Sequence, residues 1–157
     1  MPTNMKINAP ARTQRLKQEP VYINRPSDVF TECGSSLLSA RTPNRNRKHF
    51  WTISLDGANQ IIYAELLSIG SRTYSVVEPV EVFRTPILKG ARKVILVSNC
   101  PAGNRLYPSS REKAKAMDLI RCGKMLGITM ADYVIISDRT YYSFAEIKNL
   151  PGYKVEQ

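Results

Sequence analysis

Cysteine is sparse in this sequence and is arranged in no recognisable framework. Cys33, Cys100 and Cys122 are the only three in 157 residues. They are too few and too scattered for a set of disulfides, and no Cys-x-x-Cys spacing appears. A reducing, cytoplasmic setting is therefore expected. No apolar run approaches the roughly 20 residues needed to span a bilayer, so no membrane segment is expected. The first twenty residues, MPTNMKINAPARTQRLKQEP, lack an apolar core and do not read as a secretory signal. Acids are scarce too. Thirteen Asp and Glu stand against 23 Lys and Arg, and the net charge is +10. The sequence holds one histidine, His49.

A basic excess of this size suits an anionic partner. It is unevenly placed. Residues 1–48 carry nine cations (Lys6, Arg12, Arg15, Lys17, Arg25, Arg41, Arg45, Arg47 and Lys48) against Glu19, Asp28 and Glu32. Two readings stand. Arg12, Arg15, Lys17, Arg45, Arg47 and Lys48 form a nucleic-acid-binding arm, or the stretch is a solvated tail that keeps the protein soluble.

The length suits one domain with a moderate core. Residues 1–20 are polar, basic and aperiodic, with Pro2, Pro10 and Pro20, and read as a disordered tail. Residues 21–48 read as a short helix and a basic linker. Ser27 caps that helix, and Phe30, Cys33 and Leu37 form its apolar face. The domain proper is placed at 49–150, with a tail at 151–157. HFWTISLD (49–56) and QIIYAELLSIG (60–70) read as a β-hairpin turning at Asp56-Gly57. EPVEVFRTPILKGA (78–91) reads as a helix opened by Pro79, disturbed at Pro86 and stopped by Gly90. KVILVSN (93–99) and ADYVIISD (131–138) are apolar runs of buried-strand type. Between them lies a Pro/Gly/Ser-rich loop. A helix capped by Ser109 or Ser110 follows, with Met117, Ile120 and Met125 as its apolar positions, flanked by Ala114 and Leu119, and Gly127 as its stop. RTYYSF (139–144) reads as a return strand. This order gives an α/β domain with a mixed central sheet flanked by helices.

The stretch from His49 to Ile147 resembles the RadC family of JAB/MPN domains. The resemblance rests on several matches in order. His49-Phe50 looks like the family's first strand, and Ala64-Glu65-Leu66-Leu67 with Gly70 like the strand bearing its catalytic glutamate. Pro79, Glu81-Val82-Phe83 and Gly90-Ala91 look like its next helix. KVILVSNCPAG (93–103) sits where the family runs into His-x-His-Pro-Ser-Gly. PSSREKA (108–114), LGITMADYVIIS (126–137) and Tyr141-Tyr142-Ser143-Phe144 are similar to the segments that follow. The resemblance implies a cytidine-deaminase-like JAB/MPN (JAMM) fold. In the family, two histidines and an aspartate hold zinc, and the glutamate is the base for the zinc-bound water.

Here both histidine positions have changed, to Ser98 and Cys100. The aspartate position is open between two registers. One places Ser110 and Lys113 at the family's serine and aspartate, and is preferred; the other places Ser109 and Glu112 there. Glu65 keeps the position of the base. A catalytic zinc needs three protein ligands and an open position for water. Ser98 is a poor ligand, and Lys113 would set a cation where a carboxylate is needed. The resemblance therefore implies a lost zinc site, no cofactor and no catalytic residue. Glu65, Ser98, Cys100, Ser110 and Lys113 would be degenerate equivalents of the family site. Cys100 reads either as a nucleophile, for which the motif offers no histidine base, or as a quiet half-buried thiol. The expected function is that of a pseudoenzyme binding a protein partner. A nucleic-acid-associated accessory role in DNA repair or a mobile element is the alternative, and a residual metal- or Cys-dependent peptidase the third reading. A second group of cations, Arg92, Lys93, Arg111, Lys113, Lys115, Arg121 and Lys124, could meet phosphates if nucleic acid is bound.

Overall fold

The apolar runs become the middle of a single sheet. The computed structural model describes residues 19–38, 47–69, 77–101 and 106–147. Its strands are β1 (His49–Leu55), β2 (Ile61–Ile69), β3 (Lys93–Asn99), β4 (Thr129–Ile136) and β5 (Tyr141–Ser143), in the order β2-β1-β3-β4-β5. β3 and β4 are parallel, and every other neighbouring pair is antiparallel. A parallel pair needs a crossover, and the helix between the two strands supplies it.

Period-two alternation divides the sheet into two faces. On one, Phe50, Val94, Leu96, Met130, Tyr133 and Ile135 pack beneath α3 (Pro79–Leu88) and α4 (Ser110–Leu126). On the other, Trp51, Ile53, Leu55, Ile95, Val97, Val134 and Ile136 meet a helical segment. That segment runs through α1 (Pro26–Asp28), one π-helical turn (Val29–Cys33) and α2 (Gly34–Leu37). It buries Val29, Cys33 and Leu37 against the sheet. The stretch set before the domain on sequence grounds is thus one of its layers. A short α5 (Phe144–Ile147) follows β5. The result is an α/β domain with helices on both faces of a mixed sheet, as the resemblance implies.

Three local expectations are corrected. The first helix is opened by Arg25 and Pro26 and not by Ser27, because Asp28 Oδ2 accepts the backbone N–H groups of Asn24 and Arg25, each at 2.9 Å. The β1–β2 turn is wider than an Asp-Gly pair. Asp56 Oδ1 accepts from Ala58 N and Gln60 N, and Asn59, at φ +67°, takes the left-handed position. The buried face of α4 is Ala116, Leu119, Ile120 and Gly123, with Met117 half-buried, whereas Met125 is 87% exposed and Ala114 is exposed. The tail expected over 1–20 lies, but for its last two residues, outside the described residues. Linker residues 41–46 and the tail 151–157 lie outside them too.

Candidate functional site

The cleft forms where the C-terminal end of β3, the start of β1 and the first turns of α4 meet. β3 carries Ser98 on the face beneath α4, and the chain leaves the sheet through Cys100. The Ser98 hydroxyl is fully buried and lies 3.0 Å from the Tyr133 hydroxyl, which comes from the neighbouring strand β4. Burial pushes the Tyr133 phenol up from its ordinary value, so it stays protonated. Its ring stacks on Phe50 at a centroid distance of 6.4 Å and meets Phe144 at a tilt, at 4.7 Å.

α4 begins with Ser109 as N-cap. Ser109 Oγ accepts from Glu112 N at 3.2 Å, and Glu112 Oε2 accepts from Ser109 N at 3.1 Å, a reciprocal cap. The other carboxylate oxygen of Glu112 pairs with Lys48 Nζ. Both side chains are largely buried, Lys48 at 11% exposed and Glu112 at 23%. The ammonium also lies 5.7 Å above the Phe50 ring centroid. Burial pulls the Lys48 amine below the usual lysine range, and the neighbouring Cys100 sulfur opposes that pull. Burial in turn raises the Cys100 thiol, against the Lys48 charge. Cys100 is half-buried, with its S–H directed at Pro101 O at 3.9 Å.

Behind this pair lies a cavity of about 490 Å³ with walls from Phe50, Val77, Leu96, Ala116, Leu119 and Tyr133 and a polar mouth from Lys48, Ser109, Arg111 and Glu112. Glu65 is half-buried on β2, opposite Thr52 of β1. Its Oε2 is buried with no hydrogen-bond partner among the described residues.

The expected site residues fall as follows. Ser98, Cys100 and Glu65 lie on this side of the sheet. Ser110 and Lys113 are exposed on the first turn of α4. Glu112, the residue of the second register, is the one that faces the cleft. Arg12, Arg15, Lys17 and Arg45 lie outside the described residues. Arg47 is exposed, and its carbonyl oxygen accepts from Asn99 Nδ2 at 2.9 Å. Lys48 belongs to the cleft and not to an exposed arm. Of the other cations, Arg111 and Lys115 lie at one end of α4 and Lys93 and Lys124 at the other. Lys93 bonds Asn59, Lys115 pairs with Glu78 and Arg121 with Asp118. His49 is fully buried on the opposite face, stacked on Trp51, with Nε2 unpartnered among the described residues. It is no base for Cys100. On sequence grounds Lys48 is assigned to a nucleic-acid-binding arm and not to the cleft, and Tyr133 is assigned no site role. Period-two alternation back from Phe50 is the signal that places Lys48 on the cleft face.

A second surface feature lies between α3 and α4. Pro79, Val80, Phe83, Ile87, Leu88 and Met125 line an apolar groove of about 510 Å³. Val80, Leu88 and Met125 are 63%, 78% and 87% exposed.

A mixed five-stranded sheet between helices, with its cleft at the end of β3 and the start of α4, defines a JAB-type α/β domain. Residues 23–150 match the family model described as RadC-like JAB domain, and the chain belongs to that family, which is related to the JAMM peptidases. It is 36% identical over 119 residues to a UPF0758 protein of Chlorobium chlorochromatii, covering 76% of this chain and 51% of that protein. It is 35% identical over 136 residues to a UPF0758 protein of Methanosarcina mazei, covering 86% and 57%. It is 39% identical over 124 residues to a UPF0758 protein of Methanococcoides burtonii, covering 79% and 52%. Relatives therefore occur in bacteria and archaea, and the chain spans about half the length of those it matches. No helix among the described residues is long and apolar enough to cross a membrane.

The donor set does not fit the family's zinc. Among the described residues no group of three His, Cys, Asp or Glu side chains converges. Ser98 is engaged by Tyr133, Glu112 by Lys48, and the Cys100 thiol is held toward its protonated form.

Proposed function

We propose that this chain is a non-hydrolytic RadC-like JAB module that binds a protein partner. One observation carries the first half of this reading. The side chains at two of the motif positions are engaged by neighbours outside the motif, Ser98 by Tyr133 and Glu112 by Lys48. A JAMM-type hydrolysis needs three ligands around a metal and a metal-bound water of lowered pKa. Glu65 alone, without such a water, has nothing to deprotonate usefully. Cys100 does not replace the metal as a nucleophile. Its thiol is raised by burial, and the one histidine lies across the sheet.

The groove between α3 and α4 supports the second half. Val80, Leu88 and Met125 stand largely in water, in the kind of contiguous apolar surface that marks protein contacts. Photo-crosslinking in the native host tests this. A benzophenone residue at position 125 is expected to trap a discrete protein adduct, and the same residue at Ala58, on the exposed β1–β2 turn, is not. Substituting Leu88→Glu should remove the adduct. Equal labelling at both positions, or an adduct indifferent to Leu88→Glu, contradicts the reading.

A further inference from the structure

We propose that the Lys48 ammonium is a built-in counter-cation that stands in the place of the family's divalent ion and bars metal from the cleft. This deepens the reading above and rests on it, since it takes Glu112, Ser98 and Cys100 as the positions of the former ligands. The geometry is direct. Lys48 is the last residue before β1, and the strand's alternation turns it to the face shared by Phe50 and Ser98. Its Nζ pairs with the carboxylate of Glu112, the acid that α4 brings to the cleft, and its charge is felt by the sulfur of Cys100. It therefore pairs directly with the group at one of the three ligand positions. Phe50 closes one side of the ammonium through its ring face.

Electrostatics explain why a lysine fits there. A carboxylate kept in a largely buried cleft without a cation would be held at high free energy, and a nearby positive charge removes that penalty. In a metal-bound relative that charge comes from the ion. Here one covalently attached positive charge meets one negative charge, at the end of a side chain that cannot dissociate. A divalent ion entering the same space would meet a like charge at its first carboxylate ligand. Loss of the two imidazoles and occupation by Lys48 are thus two separate barriers, and restoring the imidazoles removes only one.

The separation of these barriers is testable on the full chain. Ser98→His/Cys100→His restores the two imidazoles with Lys48 in place, and adding Lys48→Met removes the cation. Zinc affinity is measured by competition with a chromophoric chelator, and coordination by the visible spectrum of the cobalt-loaded protein. The expected result is weak binding by the double variant and one equivalent bound about 100-fold more tightly by the triple, the scale that one adjacent charge sets on an ionisable group. A tetrahedral cobalt spectrum should appear in the triple variant and vanish with Glu112→Gln. Equal affinity of the double and triple variants overturns the role of Lys48 while leaving the ligand positions intact. No binding by a folded triple variant, checked by its cooperative thermal transition, overturns the assignment of those positions and the proposal with it. Should the double histidine variant not fold, Ser98→His is made alone, with and without Lys48→Met, so that one imidazole joins Cys100 and Glu112 as a third donor, and each protein is titrated with cobalt. A thiolate-to-cobalt charge-transfer band present only with Lys48→Met supports the proposal, and equal bands in both, or none in either, overturn it.

Discussion

Asp132 accepts three hydrogen bonds while only 4% of it meets solvent. Tyr133 N donates to Oδ1 at 2.7 Å and Ala145 N at 3.0 Å, and Ser143 Oγ donates to Oδ2 at 2.5 Å. These bonds tie β4 to β5 and the start of α5. Burial pushes its carboxyl up to about 6 from the ordinary 3.8, although the three hydrogen bonds oppose it. The sign follows from linkage. A carboxyl with a raised folded-state pKa favours the fold when protonated. Its contribution is complete below about 4 and is lost as pH rises through about 6, to the extent of about 2–3 kcal/mol. Asp132→Asn keeps an oxygen for the two backbone donors and an amide for Ser143. Its stability, followed by thermal unfolding from pH 4 to pH 7, should lack the decline that Asp132 contributes. Identical pH profiles for the two proteins would contradict the assignment. At this same scale Cys33 is pushed up to about 12 by burial, with Glu32 and Asp28 adding to the rise, so its thiol is a core group in the fold.

The helix α4 decides how the cleft is built. Its buried stripe runs Ala116, Leu119, Ile120 and Gly123, and one turn before Ala116 the same stripe reaches Glu112. Lys113 falls off that stripe into solvent. That Glu112 and not Lys113 faces the cleft is therefore legible in helical periodicity, once the stripe is drawn through Gly123 and not through Met125. The stripe was misplaced because Met125 has the chemistry of a core residue, while Gly123 has no side chain to signal burial. Gly123 is needed by contact. A Cβ there would lie 2.4 Å from the Ile128 carbonyl oxygen and 3.4 Å from the Phe83 ring. Gly123→Ala should therefore destabilise the protein by about 1–3 kcal/mol, read from the denaturant midpoint. An exposed helical position would instead gain up to about 1 kcal/mol from the same change, so a stabilised variant would contradict the close packing. The central strands are legible in the sequence itself. KVILVSN and ADYVIISD are apolar on both faces because both faces are covered, and that continuous run is visible without neighbours. Lys48 was grouped with the basic stretch before it because linear charge patterning carries no information about which face a residue takes. Its pairing with Glu112, 64 residues away, exists only in the fold.

Across the whole molecule, a JAB sheet carries a cleft whose polar side chains pair with near neighbours. The scaffold that would position a metal is present, in the strand bearing Glu65, the β3 exit and the capped start of α4. The residues on it form internal pairs instead. Net charge does not explain the site, because the cleft neutralises its own cation with Glu112, and the surface cations Arg111 and Lys115 lie at one end of α4 while Lys93 and Lys124 lie at the other. The central claim is that this cleft is closed to divalent metal by its own side chains. A calorimetric zinc titration of the chelator-stripped, unaltered protein tests it most directly. The account predicts no saturable uptake at micromolar concentrations. One equivalent bound with submicromolar affinity, and lost on Glu112→Gln, would contradict it.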